Sequence, residues 1–128
     1  GAITGDVLIE QTLTVVGNTL IEGSLTELSD ERLKENIKPL ENSLDKVLQL
    51  EGVSYNKIDT PEVNEIGFVA QQVEEIVPEL ITETQDGIKT VSYTRVSALL
   101  VETVKEQQKE IEALKAMVAD LANKVNNL

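Results

Sequence analysis

Three different spacings of apolar residues follow one another along the chain. In residues 5–27, short β-prone runs (residues 7–9, 13–16 and 20–21) are punctuated by Gly-Asp, Gly-Asn or Gly-Ser pairs. The segment "GDVLIEQTLTV" lies over "GNTLIEGSLTE" at an offset of twelve, with six of eleven positions identical. Such self-similarity is how stacked short strands and turns are written, and two copies are too few to bury a core alone. We expect the end of a β-helical or fibrous stem, completed by upstream sequence or by sister chains. Because the chain opens on Gly1 with no charged-then-apolar leader, we expect it to be a piece of something longer.

Residues 29–94 mix helical and strand periods. Pro39 suits a helix N1 position, with Leu40, Leu44, Val47 and Leu48 at helical spacing until Gly52. Val53 and Tyr55 alternate with polar residues as a strand, and Asp59, Thr60 and Pro61 form a turn. The run "IGFVAQQVEEIVPEL" predicts a strand or tight turn at 66–68. A helix follows, with Val69, Val73, Ile76 and Val77 on one face, closed before Pro78. In "LITETQDGIKTVSY", Asp86-Gly87 predicts a two-residue type I′ hairpin pairing Leu80 with Tyr93 and Thr82 with Val91. That register puts Leu80, Val91 and Tyr93 against the core.

From about residue 94 to 128 the chain lacks Gly and Pro and carries a heptad, with Val104, Ile111, Val118 and Val125 at a and Gln107, Leu114, Leu121 and Leu128 at d. A helix of 35 residues is about 50 Å long, more than a body of about 65 residues can cover, so its seam must meet copies of itself. β-branched residues at a with Leu at d favour two strands, whereas Met117 at g and Ala122 at e widen the seam toward three. Gln107 is a polar layer able to fix register, and Glu110 can pair with Lys115 of a neighbour.

The expected fold class is therefore α+β. A short β-repeat stem spans 1–28, a small α+β body with a β-hairpin spans 29–94, and a long C-terminal helix forming a trimeric coiled coil spans 95–128.

Composition narrows the chemistry. Hydrophobic residues make up 41% of the 128, but with one Phe, two Tyr and no Trp the burial must be aliphatic. A net charge of -12 and no basic cluster weigh against nucleic acid and anionic membranes, and no apolar run approaches the ~20 residues of a membrane span. Without Cys or His there are no disulfides, no thiolate or imidazole ligands and no imidazole base. Adjacent acids such as Glu74 and Glu75, or Asp86 near Glu83, lack a calcium-loop pattern, so neither a metal nor a cofactor is expected.

The stretch "LSDERLKENIKPL", then "IGFVAQQVEEIVPEL", then "VSYTRVSALLVETVKEQQKEI" resembles the self-cleaving intramolecular chaperone domain of phage tailspikes, tail fibres and endosialidases, a domain also found in myelin regulatory factor. The likeness runs from about residue 28 to 110. It implies a homotrimer that assists folding of the upstream stem of its own polypeptide and then cuts itself off before a serine. The resemblance places that serine at Ser29, the cut between Leu28 and Ser29, and the partner lysine at Lys34. It further implies a stem in the virion tail and a chaperone domain acting in the host cytoplasm during assembly.

Without His, a serine nucleophile can use a lysine amine as general base if desolvation or nearby cations bring its pKa down from ~10.4. Lys34 would have to be partly buried and neutral. Ser29 Oγ would attack the carbonyl of Leu28, one route being an N-to-O acyl shift to an ester that water or a second group resolves, with backbone N–H groups as the oxyanion stabiliser. Residues five apart on a regular helix point ~140° apart. Either Ser29 precedes the helix, or Lys34 comes from a neighbouring chain.

Each residue also has a plainer role. Ser29 suits a helix N-cap with Asp30 and Glu31 in the first turn, and Lys34 a solvated charge. Gly67 and Phe68 could line a pocket near the dyad, or Phe68 could anchor the core. Gln71 and Gln72 could orient Lys34, bridge chains or simply be exposed. The competing functions are a non-cleaving trimerisation cap and the oligomerisation module of a DNA-binding regulator.

Overall fold

A computed structural model describes all residues, Gly1–Leu128. The chain divides into two compact units, Gly1–Ile37 and Lys38–Leu128.

In the first unit, residues 1–28 form no paired strand, and every residue is exposed. Bends recur at residues 5, 10–11, 16–17 and 22–23, so the sequence repeat survives as a near six-residue rhythm of turns. The strands expected at 7–9, 13–16 and 20–21 find no partner within one chain. Two repeat copies offer too few neighbouring backbones to complete a ladder. A single 3-10 turn, Glu31–Leu33, is the unit's regular structure.

The second unit is built from two hairpins, two short helices and one long helix. Helix α1 spans Ser43–Gln49, later than expected, leaving Pro39 outside it. Its N-cap, Asn42, sits in the left-handed region at φ 57, which breaks any helical run from Pro39. The cap's side chain makes no bond to the helix. Instead, Glu106 from the long helix reaches across 63 residues of sequence. Its carboxylate accepts the N–H groups of Ser43 at 2.9 Å and Leu44 at 3.2 Å, satisfying two amides at the positive end of α1.

Strands β1 (Val53–Lys57) and β2 (Thr60–Gly67) form an antiparallel hairpin, with Ser54 opposite Ile66 and Lys57 opposite Thr60. The turn is therefore Ile58-Asp59, and Thr60 and Pro61 belong to the strand, correcting the expected turn. Pro61 is tolerated because a two-stranded ribbon has only edge strands. A bulge after Tyr55 is bridged by Asn56, whose side-chain amide donates to the Val63 carbonyl at 2.7 Å and to Asn64 Oδ1 at 2.8 Å.

Helix α2 (Ala70–Ile76) follows, closed before Pro78 as expected. Strands β3 (Ile81–Glu83) and β4 (Lys89–Val91) make the second hairpin, one residue out of the expected register: Ile81 faces Val91, Thr82 faces Thr90 and Glu83 faces Lys89. A type I′ turn needs φ > 0 at both central residues. Here only Gly87 has it, at φ 80, so the loop is the three residues 85–87, with Thr84 and Ile88 closing it. Leu80 is buried, but in a 3-10 turn ahead of β3, and Tyr93 lies half-exposed in a second such turn.

Helix α3 runs Val96–Asn126, about 46 Å. Val73, Val77, Leu80 and Leu99 form the core, with Val47, Leu50, Phe68, Ile76, Ile81 and Val96 packed against it. Lys89 ties the second hairpin to α2 through Glu74 at 2.8 Å and pairs across the hairpin with Glu83 at 2.7 Å. These carboxylates, Glu74 first, raise the Lys89 pKa above its usual value.

Candidate functional site

Ser29 is not the cap of the 3-10 turn, which corrects the plainer reading of this residue. Asp30 is the cap, with extended backbone at φ -64 and ψ 133, and its Oδ1 accepts the Arg32 N–H at 2.8 Å. The Arg32 guanidinium closes on the same carboxylate, Nε donating to Oδ1 at 3.1 Å and Nη2 to Oδ2 at 2.9 Å. These bonds, the guanidinium first and the backbone N–H second, hold the Asp30 carboxyl below its usual range. Arg32 is raised in return.

Two backbone bonds tighten the turn, Leu33 N–H to Asp30 O and Lys34 N–H to Glu31 O, each 3.1 Å. Lys34 leaves it in extended conformation, at φ -124 and ψ 149. Extended backbone on both sides of one tight turn folds the chain back on itself, and Lys34 Nζ donates to Ser29 Oγ at 2.5 Å. The ~140° divergence expected of a regular helix does not arise, because only residues 31–33 are helical and the residues flanking them, Asp30 and Lys34, are extended. The pair thus meets within one chain, with Ser29 ahead of the turn. Leu28 is 89% exposed, and a shallow groove lined by Leu28, Asp30, Arg32 and Leu33 runs beside the Leu28–Ser29 bond. Lys34 is exposed in the single chain, so the partial burial expected of a general base is not supplied by its own unit.

The seam residues stand out on α3. Val104, Ile111, Leu114, Val118, Leu121 and Val125 are 45–67% exposed, Leu128 is fully exposed, and Gln107 is exposed among them. The α3 residues taken into the body, Val96, Leu99, Thr103 and Glu106, occupy heptad positions g, c, g and c. The body therefore grips one flank of the helix and leaves the a and d stripe bare.

Other singled-out residues have ordinary surroundings. Phe68 packs against the core and stacks on Tyr93 with ring centroids 5.9 Å apart, while its N–H donates to Tyr93 Oη at 3.0 Å. Gly67 lies beneath that ring, and a Cβ there would meet Tyr93 Oη and crowd Cζ at 3.3 Å. Gln71 and Gln72 are exposed on α2. Nothing in the sequence distinguishes Glu106, one acid among many on a charged helix. Asp30 is the cap and not a first-turn residue as the sequence suggests, since a Ser-Asp pair offers either residue as cap.

A peptidase family described as "Chaperone of endosialidase" matches residues 29–82, the stretch that opens on Ser29. The Long tail fiber protein Gp37 of Enterobacteria phage K3 is 43% identical over 96 residues, 69% of this chain and 8% of that protein. The protein of the same name in Enterobacteria phage T2 is 43% identical over 96 residues, 69% of this chain and 7% of that protein. That of Enterobacteria phage M1 is 35% identical over 108 residues, 77% of this chain and 43% of its own length. The chain thus spans less than a tenth of the first two fibre proteins. With the serine, the turn and the lysine in place at the start of the matched stretch, the chain belongs to the chaperone of endosialidase family.

Proposed function

We propose that the chain is the C-terminal intramolecular chaperone of a phage tail fibre. It trimerises through the α3 seam, assists folding of the stem upstream of Ser29, and releases itself by cutting between Leu28 and Ser29. The single observation that carries this reading is Lys34 Nζ on Ser29 Oγ at 2.5 Å, across a turn whose N-cap is Asp30 and not Ser29. The functional division is then 1–28 for the stem end, 29–94 for the processing body and 95–128 for the coiled coil. The stem stays in the virion tail, and the domain acts in the host cytoplasm during assembly.

The chemistry follows from the dyad. Once its neutral amine takes the Ser29 hydroxyl proton, Lys34 leaves Oγ free to attack the Leu28 carbonyl carbon. The amides of Asp30 and Glu31, without intrahelical acceptors at the start of the turn, are the nearest backbone donors along the chain for the oxyanion. The C–N bond breaks as the proton passes to the Ser29 nitrogen, leaving an ester on Oγ. Water then hydrolyses it to the Leu28 carboxylate and the Ser29 hydroxyl. Each chain turns over once.

An exposed ammonium donates to a hydroxyl and does not take its proton. The base role therefore requires packing around Lys34 that the single chain lacks, and trimer assembly provides it. This ties release to assembly.

The test is the mass of the denatured chain. Residues 1–28 and 29–128 should appear as separate species, at a rate that rises with trimer formation, and Ser29→Ala or Lys34→Ala should each leave the chain whole. Cleavage persisting in Ser29→Ala rejects the mechanism. The exposure of Lys34 favours one alternative, a trimerisation cap that stays attached. Intact wild-type chains after prolonged incubation as a verified trimer would establish it.

A further inference from the structure

The Ser29–Lys34 contact depends on a turn only three residues long, to which Ser29 contributes no bond and Lys34 only its backbone N–H, donated to Glu31 O at 3.1 Å. A 3-10 turn of this size is marginal alone, because its hydrogen bonds are few and poorly aligned. No residue of the turn is buried, so side-chain packing does not fix it either. What adds to its two backbone bonds is one carboxylate. Asp30 Oδ1 accepts the Arg32 N–H that the start of the turn leaves without an acceptor.

We propose that Asp30 is a positioning residue for self-cleavage: by capping the turn it folds Lys34 back onto Ser29 and leaves the serine hydroxyl free of any capping duty. This rests on the self-cleavage reading above. A serine that capped the turn itself would commit its oxygen to a backbone N–H, where it could not at once be the nucleophile. The Ser-Asp order assigns the two tasks to adjacent residues. The Arg32 guanidinium is secondary, since the capping bond uses Arg32's backbone N–H and survives loss of its side chain.

The experiment follows fragment formation in the full chain by denaturing mass analysis. Asp30→Ala should slow cleavage about five- to tenfold, the scale of a lost helix cap expressed as a rate. Asp30→Asn, an equally good cap, should stay within about threefold of wild type, and so should Arg32→Ala. Thermal unfolding of the Lys38–Leu128 unit within the same chains should not change, which separates positioning from general destabilisation. Asp30→Ala cutting at the wild-type rate overturns the proposal. A loss in Arg32→Ala matching that in Asp30→Ala overturns it too, by moving the effect to the ion pair.

If wild type stays whole while trimeric, self-cleavage itself fails. Hydrogen exchange of the Lys34 ammonium, followed by NMR, then decides the positioning claim. Slow exchange in wild type and Asp30→Asn but fast exchange in Asp30→Ala supports it, and equal exchange in all three rejects it.

Discussion

Gly1–Ile37 and Lys38–Leu128 are stabilised in opposite ways. The first unit buries nothing, and its one ordered device is a turn held by a carboxylate and four backbone groups. The second has a real if small core, Val73, Val77, Leu80 and Leu99, clamped by a tertiary helix cap and a lysine bridged to two acids. Reactive geometry thus sits where stability is low, and stability sits where no chemistry is expected. On the self-cleavage reading proposed above, a peptide bond to be cut needs an exposed setting, whereas a module that assists folding must keep its own shape.

Substitutions sharpen that contrast. The largest effect should come from Leu99→Ala, costing about 2–5 kcal/mol because a core this small cannot close around the lost methyls. Urea unfolding followed by circular dichroism measures it. Gly67→Ala should cost about 1–3 kcal/mol, since the new methyl must push the Tyr93 ring off Phe68 and break its bond to the Phe68 amide. The same unfolding assay reads it, and near-ultraviolet dichroism of the tyrosines should change with it. Glu106→Gln should cost about 1 kcal/mol by removing the charge from the cap on α1, with a lower thermal midpoint.

Leu33→Ala, the same kind of truncation in the first unit at a residue 72% exposed, should shift the midpoint by less than about 0.5 kcal/mol equivalent. A loss comparable to that of Leu99→Ala would break the comparison.

The pH dependence divides between the units in the same way. The raised Lys89 pKa means its stabilisation is complete below the unfolded value of about 10.4 and is lost as pH rises through the folded one. A Lys89→Met difference in thermal midpoint should hold steady from neutrality and fade only in alkaline solution. The lowered Asp30 pKa works in the other direction. Its contribution is complete above about 3.9 and is lost as pH falls through the folded value, where the change should appear only in the first unit. Amide exchange at Arg32 would show it.

Much of this was legible in local pattern. The Val73 and Val77 face of α2, the stop before Pro78, the strand at Val53 and Tyr55, and the long α3 all follow from spacing and from proline's missing N–H. The Ser29 and Lys34 positions came from the resemblance, and periodicity alone gave no reason to pair them. The hairpin register differs by one residue from the expected one because Asp86-Gly87 is not the whole turn: only Gly87 adopts positive φ.

What the sequence by itself determined is the order of helices and strands from α1 to α3 and the bare a and d stripe of α3, since both depend on residues a few positions apart. Tertiary structure decided which carboxylate caps which helix, where α1 begins, and which flank of α3 the body grips. Those outcomes depend on groups such as Ser43 and Glu106, 63 residues apart, whose meeting is set by the packing of the whole unit and by no local preference.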